Sequence, residues 1–242
     1  MRYAVFSDIH GNVQALRAVL ERMDEREVDC RLCLGDIVGY GGNPNECVDA
    51  VRRSGARCIA GNHDHAVLGI AGIGQFNSRA RAAAIWTADV LTEENRRFLS
   101  DLPLVLSAHD VLCVHASPRE PEQWHYILTA HQAEEAFESF DETICLIGHS
   151  HRPLVVARDR GETCSLPFRE DIRIRAGNRY VINGGSVGQP RDGNPDAAFL
   201  WLDTDRGWAR IERVPYDIGG AQRAILEAGL PAPLAERLEH GR

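Results

Sequence analysis

Eight side chains suited to metal or proton chemistry stand in five short clusters within the first two thirds of the chain. Asp8 and His10 lie in Ser7-Asp8-Ile9-His10-Gly11-Asn12, and Asp36 follows Gly35. Asn62 and His63 lie in Gly61-Asn62-His63-Asp64, His115 in Val114-His115-Ala116, and His149 and His151 in Gly148-His149-Ser150-His151. A single Asp at a strand end is ordinarily a turn or cap residue, and a lone His is ordinarily solvated or structural. Five clusters in succession, each just past an apolar run, point instead to one site, because parallel α/β sheets carry their ligand-binding loops at strand ends. In strand-like or turn geometry the pairs Asp8/His10 and His149/His151 can each put both side chains on one side of the backbone, so each is a ready pair of ligands. Imidazole mixed with carboxylate suits Mn²⁺, Fe²⁺, Zn²⁺ or Co²⁺ better than Ca²⁺, which takes all-oxygen shells. Seven donors, Asp8, His10, Asp36, Asn62, His115, His149 and His151, exceed the need of one tetrahedral zinc. They fit two ions about 3.5 to 4 Å apart that share a carboxylate. Gly61-Asn62-His63-Asp64 reads as a reactive loop in which the small Gly61 lets a strand turn into the site. His65, His109, His125, His131 and His240 are read as solvated or structural.

The elements that must position these groups follow from periodicity. Tyr3 to Ser7 reads as a buried first strand, and Asn12 to Glu27 places Val13, Leu16, Val19, Leu20 and Met23 on one helical face. Arg31 to Leu34 is a second strand. Asn43-Pro44-Asn45-Glu46 then starts a helix, with Asn43 as cap, Pro44 first and Glu46 as reciprocal partner, ending near Gly55. Arg57 to Ala60 is a third strand. A helical excursion is expected at about 65–103, with Thr92 capping its last helix, covering or bordering the site. Leu104 to Ser107, Val111 to Val114 and Ile144 to Ile147 read as strands, and Thr129 to Phe140 as a helix capped by its Thr. From Leu154 to Val214, short β-prone runs suggest antiparallel sheet following the α/β units. Terminal helices are expected at about 217–240, and residues 1–242 read as a single domain.

Composition narrows the class. Hydrophobic residues make up 44% and charged residues 26% of 242, as in a soluble globular protein. A net charge of −8 argues against general nucleic-acid binding. Arg2 to Phe6 is far too short for a secretory signal and no apolar run reaches membrane-spanning length, so a cytoplasmic protein with no membrane partner is expected. The seven cysteines are odd in number and lie mainly in apolar segments. They read as reduced, buried small hydrophobes, with Cys30-x-x-Cys33 structural rather than a metal or redox pair.

The motif set D-x-H, G-D, G-N-H-D, H and G-H-x-H resembles that of the calcineurin-like metallophosphoesterase family over roughly Met1 to Tyr216. The resemblance implies an α/β (α+β type, four-layer) fold, two mixed β-sheets packed as a sandwich and flanked by helices, with a dinuclear site at the strand ends. It implies that Asp8, His10, Asp36 and His151 hold one divalent ion and that Asp36, Asn62, His115 and His149 hold the other, Asp36 bridging. The ions implied are Mn, Fe, Zn, Co or Ni, with Mn favoured. His63 would be a non-ligand that protonates the leaving group, and Asp64 would either orient His63 or serve as a turn or helix cap. The expected activity is hydrolysis of a phosphodiester, or of a phosphomonoester or nucleotide, by hydroxide activated between two metals. Relatives acting on proteins or dinucleoside polyphosphates resemble G-D-x-V-D-R-G. This chain has Gly39 and Tyr40 in place of that Asp and Arg, which disfavours both activities. It is more similar to a compact prokaryotic phosphodiesterase-like branch with a late segment matching Asn183-Gly184-Gly185-Ser186-Val187-Gly188-Gln189-Pro190-Arg191-Asp192. Arg191 is read either as a phosphate contact or as a solvated or salt-bridged loop residue. A metal-binding interaction scaffold of the same fold is the non-enzymatic alternative.

Overall fold

The computed structural model describes residues 1–166 and 171–242. The first strand, β1 (Arg2–Phe6), shows how the layers arise: Tyr3 and Val5 point between two sheets, while Ala4 and Phe6 point outward under helices. Both faces are buried, so the strand reads as a continuous apolar run. Helix α1 (Val13–Asp24) returns over the outer face on Val13, Leu16, Val19 and Met23, with Asn12 accepting the Ala15 N–H at 3.0 Å as its cap. Strand β2 (Cys30–Cys33), helix α2 (Pro44–Arg53) and strand β3 (Arg57–Cys58) repeat the unit, and β3-β2-β1 run parallel.

Helices α3 (Asn62–Val67), α4 (Ser78–Val90) and α5 (Glu93–Ser100) follow. Thr92 caps α5 by accepting the Asn95 N–H at 3.2 Å. The second sheet begins with β4 (Val105–Ala108) and β5 (Val111–Val114). After α6 (Ala130–Ala136), capped by Thr129, come β6 (Ile144–Ile147), β7 (Leu154–Asp159) and β8 (Glu162–Ser165). The chain continues through β9 (Asp171–Arg173), β10 (Arg179–Asn183), β11 (Ala197–Asp203) and β12 (Trp208–Val214) to α7 (Ile218–Glu227) and α8 (Ala232–Glu236). The sheet orders are β3-β2-β1-β11-β12-β9 and β4-β5-β6-β10-β7-β8. These are two mixed sheets with flanking helices, as the motifs implied.

Three expectations need correction. The late strands pair antiparallel with one another, as β7 with β8 and β10 and as β12 with β9 and β11, but they are divided between the two sheets: β10 also pairs in parallel with β6, and β11 inserts beside β1, Tyr3 opposite Leu202. Pairing the start of the chain with its late strands closes the first sheet, which local patterning cannot reveal. Asn43 begins α2 but its side chain caps nothing, because its amide turns toward Glu46 Oε1 at 3.4 Å. The third strand is two residues long: the Ile59 N–H still reaches the Cys33 carbonyl at 3.0 Å, but that of Ala60 turns to the Pro103 carbonyl at 2.9 Å. Residues 167–170, inside the late β-prone region, lie outside the described residues.

The sandwich interior is apolar. Val5, Leu32, Leu34, Leu146, Ile182 and Leu200 meet there, none more than 3% exposed. A second apolar cluster joins α4, α7 and α8 through Ala80, Ala83, Ala221, Ile225 and Leu234, and it includes Tyr40 from the loop after β2. The helices after α3 and at the chain's end are thereby anchored beside the strand ends that carry Asp8 and Asp36. All seven cysteines are free, and Cys164 is exposed rather than buried. Among the described residues no helix is long and apolar enough to cross a membrane.

Candidate metal centre

Asp8 and His10 follow β1, Asp36 follows β2, His115 follows β5, and His149 and His151 follow β6. All are buried. The backbone there departs from both helix and strand: Asp8, His10, Asp36, Tyr40, His149 and His151 all have φ between 50° and 66°. The left-handed region costs an L-residue energy, and its clustering here marks a local geometry held by its surroundings. The late segment supplies much of that hold. Ser186 Oγ donates to the Asp8 carbonyl at 2.8 Å, and Asn183 Nδ2 donates to the Gly148 carbonyl at 2.6 Å.

The ligand-type atoms gather in two groups, Asp8/His10/Asp36/His151 and Asp36/His115/His149, each within 4.8 Å of one another. Asp36 belongs to both. Its Oδ2 lies 3.5 Å from His10 Nε2 and 3.3 Å from His115 Nε2, and its Oδ1 accepts the His63 N–H at 2.8 Å. Asp8 accepts the His149 N–H at 3.1 Å, and its Oδ1 lies 3.4 Å from His151 Nε2. His149 and His151 therefore fall in different groups, whereas Asp8 and His10 fall in the same one. With φ of 66° and 58° flanking Ser150, the two-residue repeat of a strand does not apply.

Backbone carbonyls fix the imidazole tautomers. His10 Nδ1 faces the Val38 carbonyl at 3.1 Å, His115 Nδ1 that of Leu34 at 2.7 Å, and His151 Nδ1 that of Gln189 at 2.7 Å. A carbonyl only accepts, so each Nδ1 carries a proton and, when the ring is neutral, its Nε2 presents a lone pair inward. His10 Nε2 and His151 Nε2 consequently face each other at 3.0 Å with no proton between them. His115 Nε2, His149 Nε2 and Asn62 Oδ1 are buried with no hydrogen-bond partner among the described residues. Convergent acceptors of this kind repel one another unless a cation sits among them, so the residues fit divalent metal ions of the nitrogen- and oxygen-binding class.

Electrostatics without a cation agree. Burial pushes Asp8 up to about 7, reinforced by Asp36 and opposed by His115. Burial also opposes protonation of His115, yet Asp36, Asp8 and the Leu34 carbonyl together outweigh it and bring that imidazole up to about 9, a proton standing in for a missing positive charge. Burial drives His10 and His151 well below their ordinary value and His149 to about 3, leaving them neutral as metal ligation requires.

Asn62, His63 and Asp64 are not a loop but the first turn of α3, begun by Gly61. Gly61 packs so tightly on Asp36 that a Cβ there would collide with the Asp36 carboxylate and backbone N. Asp64 does not orient His63. Its Oδ1 accepts the N–H groups of Ile37 at 2.9 Å and Val38 at 3.2 Å, and its Oδ2 that of Gly61 at 2.9 Å, tying two site loops together. His63 Nδ1 is unpartnered, and the ring is 4.8 Å from His10, 4.6 Å from Tyr40 and 4.5 Å from Phe76. Burial pushes its pKa down to about 4.

Sequence reasoning missed the aromatic surround. Tyr126, 48% exposed, stacks on His149 at 4.0 Å, and Trp124 meets His115 edge-on at 5.8 Å. Their segment carries no periodic pattern to signal this. Of the five histidines read as bystanders, only His65 approaches, through Trp124 at 5.5 Å.

Known proteins place this geometry. Residues 1–207 match the family model described as the calcineurin-like phosphoesterase superfamily domain. The chain is 41% identical over 244 residues to an uncharacterised protein of Methanocaldococcus jannaschii, covering 99% of this chain and 98% of that one. A crystal structure of a metallophosphoesterase from Sphaerobacter thermophilus superposes with a TM-score of 0.87 at 40% identity, covering 100% of this chain and 99% of that one. A hypothetical protein from Pyrococcus horikoshii OT3 superposes with a TM-score of 0.82 at 23% identity, with 100% and 98% covered, a likeness of fold. The chain belongs to the calcineurin-like phosphoesterase superfamily.

Proposed function

We propose that this protein is a metal-dependent phosphodiesterase whose substrate is a small phosphoester or nucleotide, and that it works in the cytoplasm. The observation that carries the reading is the pair of ligand-type groups sharing Asp36, in which His115 Nε2, His149 Nε2 and Asn62 Oδ1 are buried without a hydrogen-bond partner and His10 Nε2 faces His151 Nε2. Asp8, His10, Asp36 and His151 would hold one ion, and Asp36, Asn62, His115 and His149 the other, Mn²⁺ being the favoured identity for both. Bound there, divalent ions supply Lewis acidity toward the phosphoryl oxygens and an activated water as nucleophile. The chain's own residues do the rest. The carbonyls of Leu34, Val38 and Gln189 keep three imidazoles in the ligating tautomer. Asp64 fixes the loop after β2 against the start of α3, so that Asp36 and Asn62 keep their spacing.

His63 is the proton donor to the departing alkoxide in this reading. It lies outside both ligand groups yet touches His10, and no carboxylate or carbonyl engages its Nδ1. Its low pKa in the absence of ligands leaves a neutral ring, and the negative charge of a phosphoester beside it favours the protonated form. The free thiols suit the reducing cytoplasm.

The test is hydrolysis of an aryl phosphodiester by purified protein supplied with Mn²⁺. Activity is expected to disappear on chelation and return with metal, and to fall by roughly 10²- to 10⁴-fold in His63→Ala with metal still bound. Full activity in His63→Ala contradicts the donor assignment. No turnover across a broad phosphoester panel, with two ions bound per chain, contradicts the enzymatic reading and leaves the scaffold.

A further inference from the structure

We propose that Arg191 grips the phosphoryl oxygens of the substrate, with Tyr40 as the platform beneath its guanidinium. The assignment rests on the phosphoesterase reading of the metal centre and adds the group that recognises the phosphate. Position 40 is where the sequence lacks an arginine. The structure brings a guanidinium beside Tyr40 from far downstream in the sequence: Arg191 Cζ lies 5.7 Å from the centroid of the Tyr40 ring, within cation–π reach. Tyr40 is 4.7 Å from His10 and 4.6 Å from His63, so the platform borders both a ligand imidazole and the proposed proton donor.

Arg191 is held in register with the site. Its backbone N–H donates to the His151 carbonyl at 3.2 Å, and its Nη2 donates to Gln189 Oε1 at 2.9 Å. The Gln189 carbonyl in turn receives His151 Nδ1. One short stretch thus orients a metal-ligand imidazole and aims a cation.

That cation has no carboxylate partner. Arg31 pairs with Asp24, Arg158 with Glu138, and Arg213 with Asp192, the residue next to Arg191, while Arg179 spends its guanidinium on the backbone carbonyls of Phe137 and Glu142. Arg191 forms no ion pair among the described residues, and its Nε is buried without a hydrogen-bond partner. A salt-bridged loop role is therefore ruled out for the described structure. An unpaired planar guanidinium beside a cluster of ligands has the geometry and charge for an oxyanion, which it binds through paired N–H donors.

The experiment compares the metal-loaded wild-type protein with Arg191→Gln, Arg191→Lys and Tyr40→Leu. Three quantities are read: affinity for inorganic phosphate by calorimetry, KM and kcat on an aryl phosphodiester, and bound metal. Arg191→Gln is expected to weaken phosphate binding by about ten- to a hundredfold and to raise KM, with metal content and melting temperature unchanged. Arg191→Lys is expected to recover only part of the affinity, because an ammonium does not reproduce the fork. Tyr40→Leu is expected to give a loss of about two- to fivefold. A merely structural Arg191 would lower metal content or melting temperature in both Arg191 variants without a separate fall in phosphate affinity, and that result overturns the assignment. Phosphate affinity within twofold of wild type in metal-loaded Arg191→Gln also overturns it while leaving the phosphoesterase reading intact. A wild-type protein that holds two ions yet neither binds phosphate nor hydrolyses any phosphoester removes both readings.

Discussion

The interior of the sandwich and the ends of its strands are built by opposite rules a few residues apart. Between the sheets, Leu32 and Leu200 flank Val5 in register on one sheet and meet Leu146 of the other, burying apolar surface on paired strands. At the strand ends, six residues take left-handed backbone angles and imidazole lone pairs converge. The interior is arranged for stability. The ends carry cost, in backbone strain and in unanswered buried acceptors, which the fold sustains because the layers behind them are well packed. Residue type follows the division: Leu146 and His149 are three positions apart on one segment and serve the two rules.

That contrast predicts a crossed pattern of mutational effects. Leu146→Ala, in the interior, is expected to destabilise by about 2–5 kcal/mol through loss of packing and a residual cavity, while folded molecules keep both metal and rate. His149→Ala, at the strand end, is expected to change the stability of metal-free protein by less than about 1 kcal/mol and to abolish one metal site. Denaturant melts with and without metal, alongside metal analysis, check both. Equal losses of metal in the two variants would erase the distinction.

Gly39→Ala probes how the two rules meet. Gly39 has φ of 94°, and a Cβ would stand 2.6 Å from His63 Nδ1. The variant should lose about 1–3 kcal/mol of stability and displace His63, which lowers the rate. Thermal melts and initial rates measure it, and a variant with wild-type values of both would show that His63 does not need its observed position.

The smallest contrast lies outside the site, between two helix starts. Thr92→Ala removes a cap bond and should cost about 1 kcal/mol, whereas Asn43→Ala removes no cap and should cost under about 0.5 kcal/mol. Equal costs, measured by denaturant unfolding, would mean that the two side chains cap alike.

The same division explains what the sequence could convey. The interior is legible because apolar periodicity is local: Val13, Leu16, Val19 and Met23 reveal α1, and Ile144–Ile147 reveals β6. The identity of the candidate ligands is legible because unusual residue types recur after apolar runs. Their arrangement is less so. The x-spacing of His149 and His151 by itself does not convey that the backbone is left-handed on either side of Ser150 or that the two side chains join different groups of ligand-type atoms. The role of Asp64 was open from adjacency to His63, and its bonds to Ile37, Val38 and Gly61 are contacts across the fold. The insertion of β11 beside β1 and the approach of Arg191 to Tyr40 join residues more than 100 positions apart, where no local pattern reaches.

Asp36 is the residue on which the account turns, since it alone belongs to both ligand groups. The direct measurement is metal stoichiometry of folded wild-type protein and of Asp36→Asn, by elemental analysis after removal of free ions. The account predicts two divalent ions per chain in the wild type and the loss of tight binding at both positions in the variant. Retention of one or both ions by folded Asp36→Asn at wild-type affinity would contradict a centre built around a shared carboxylate.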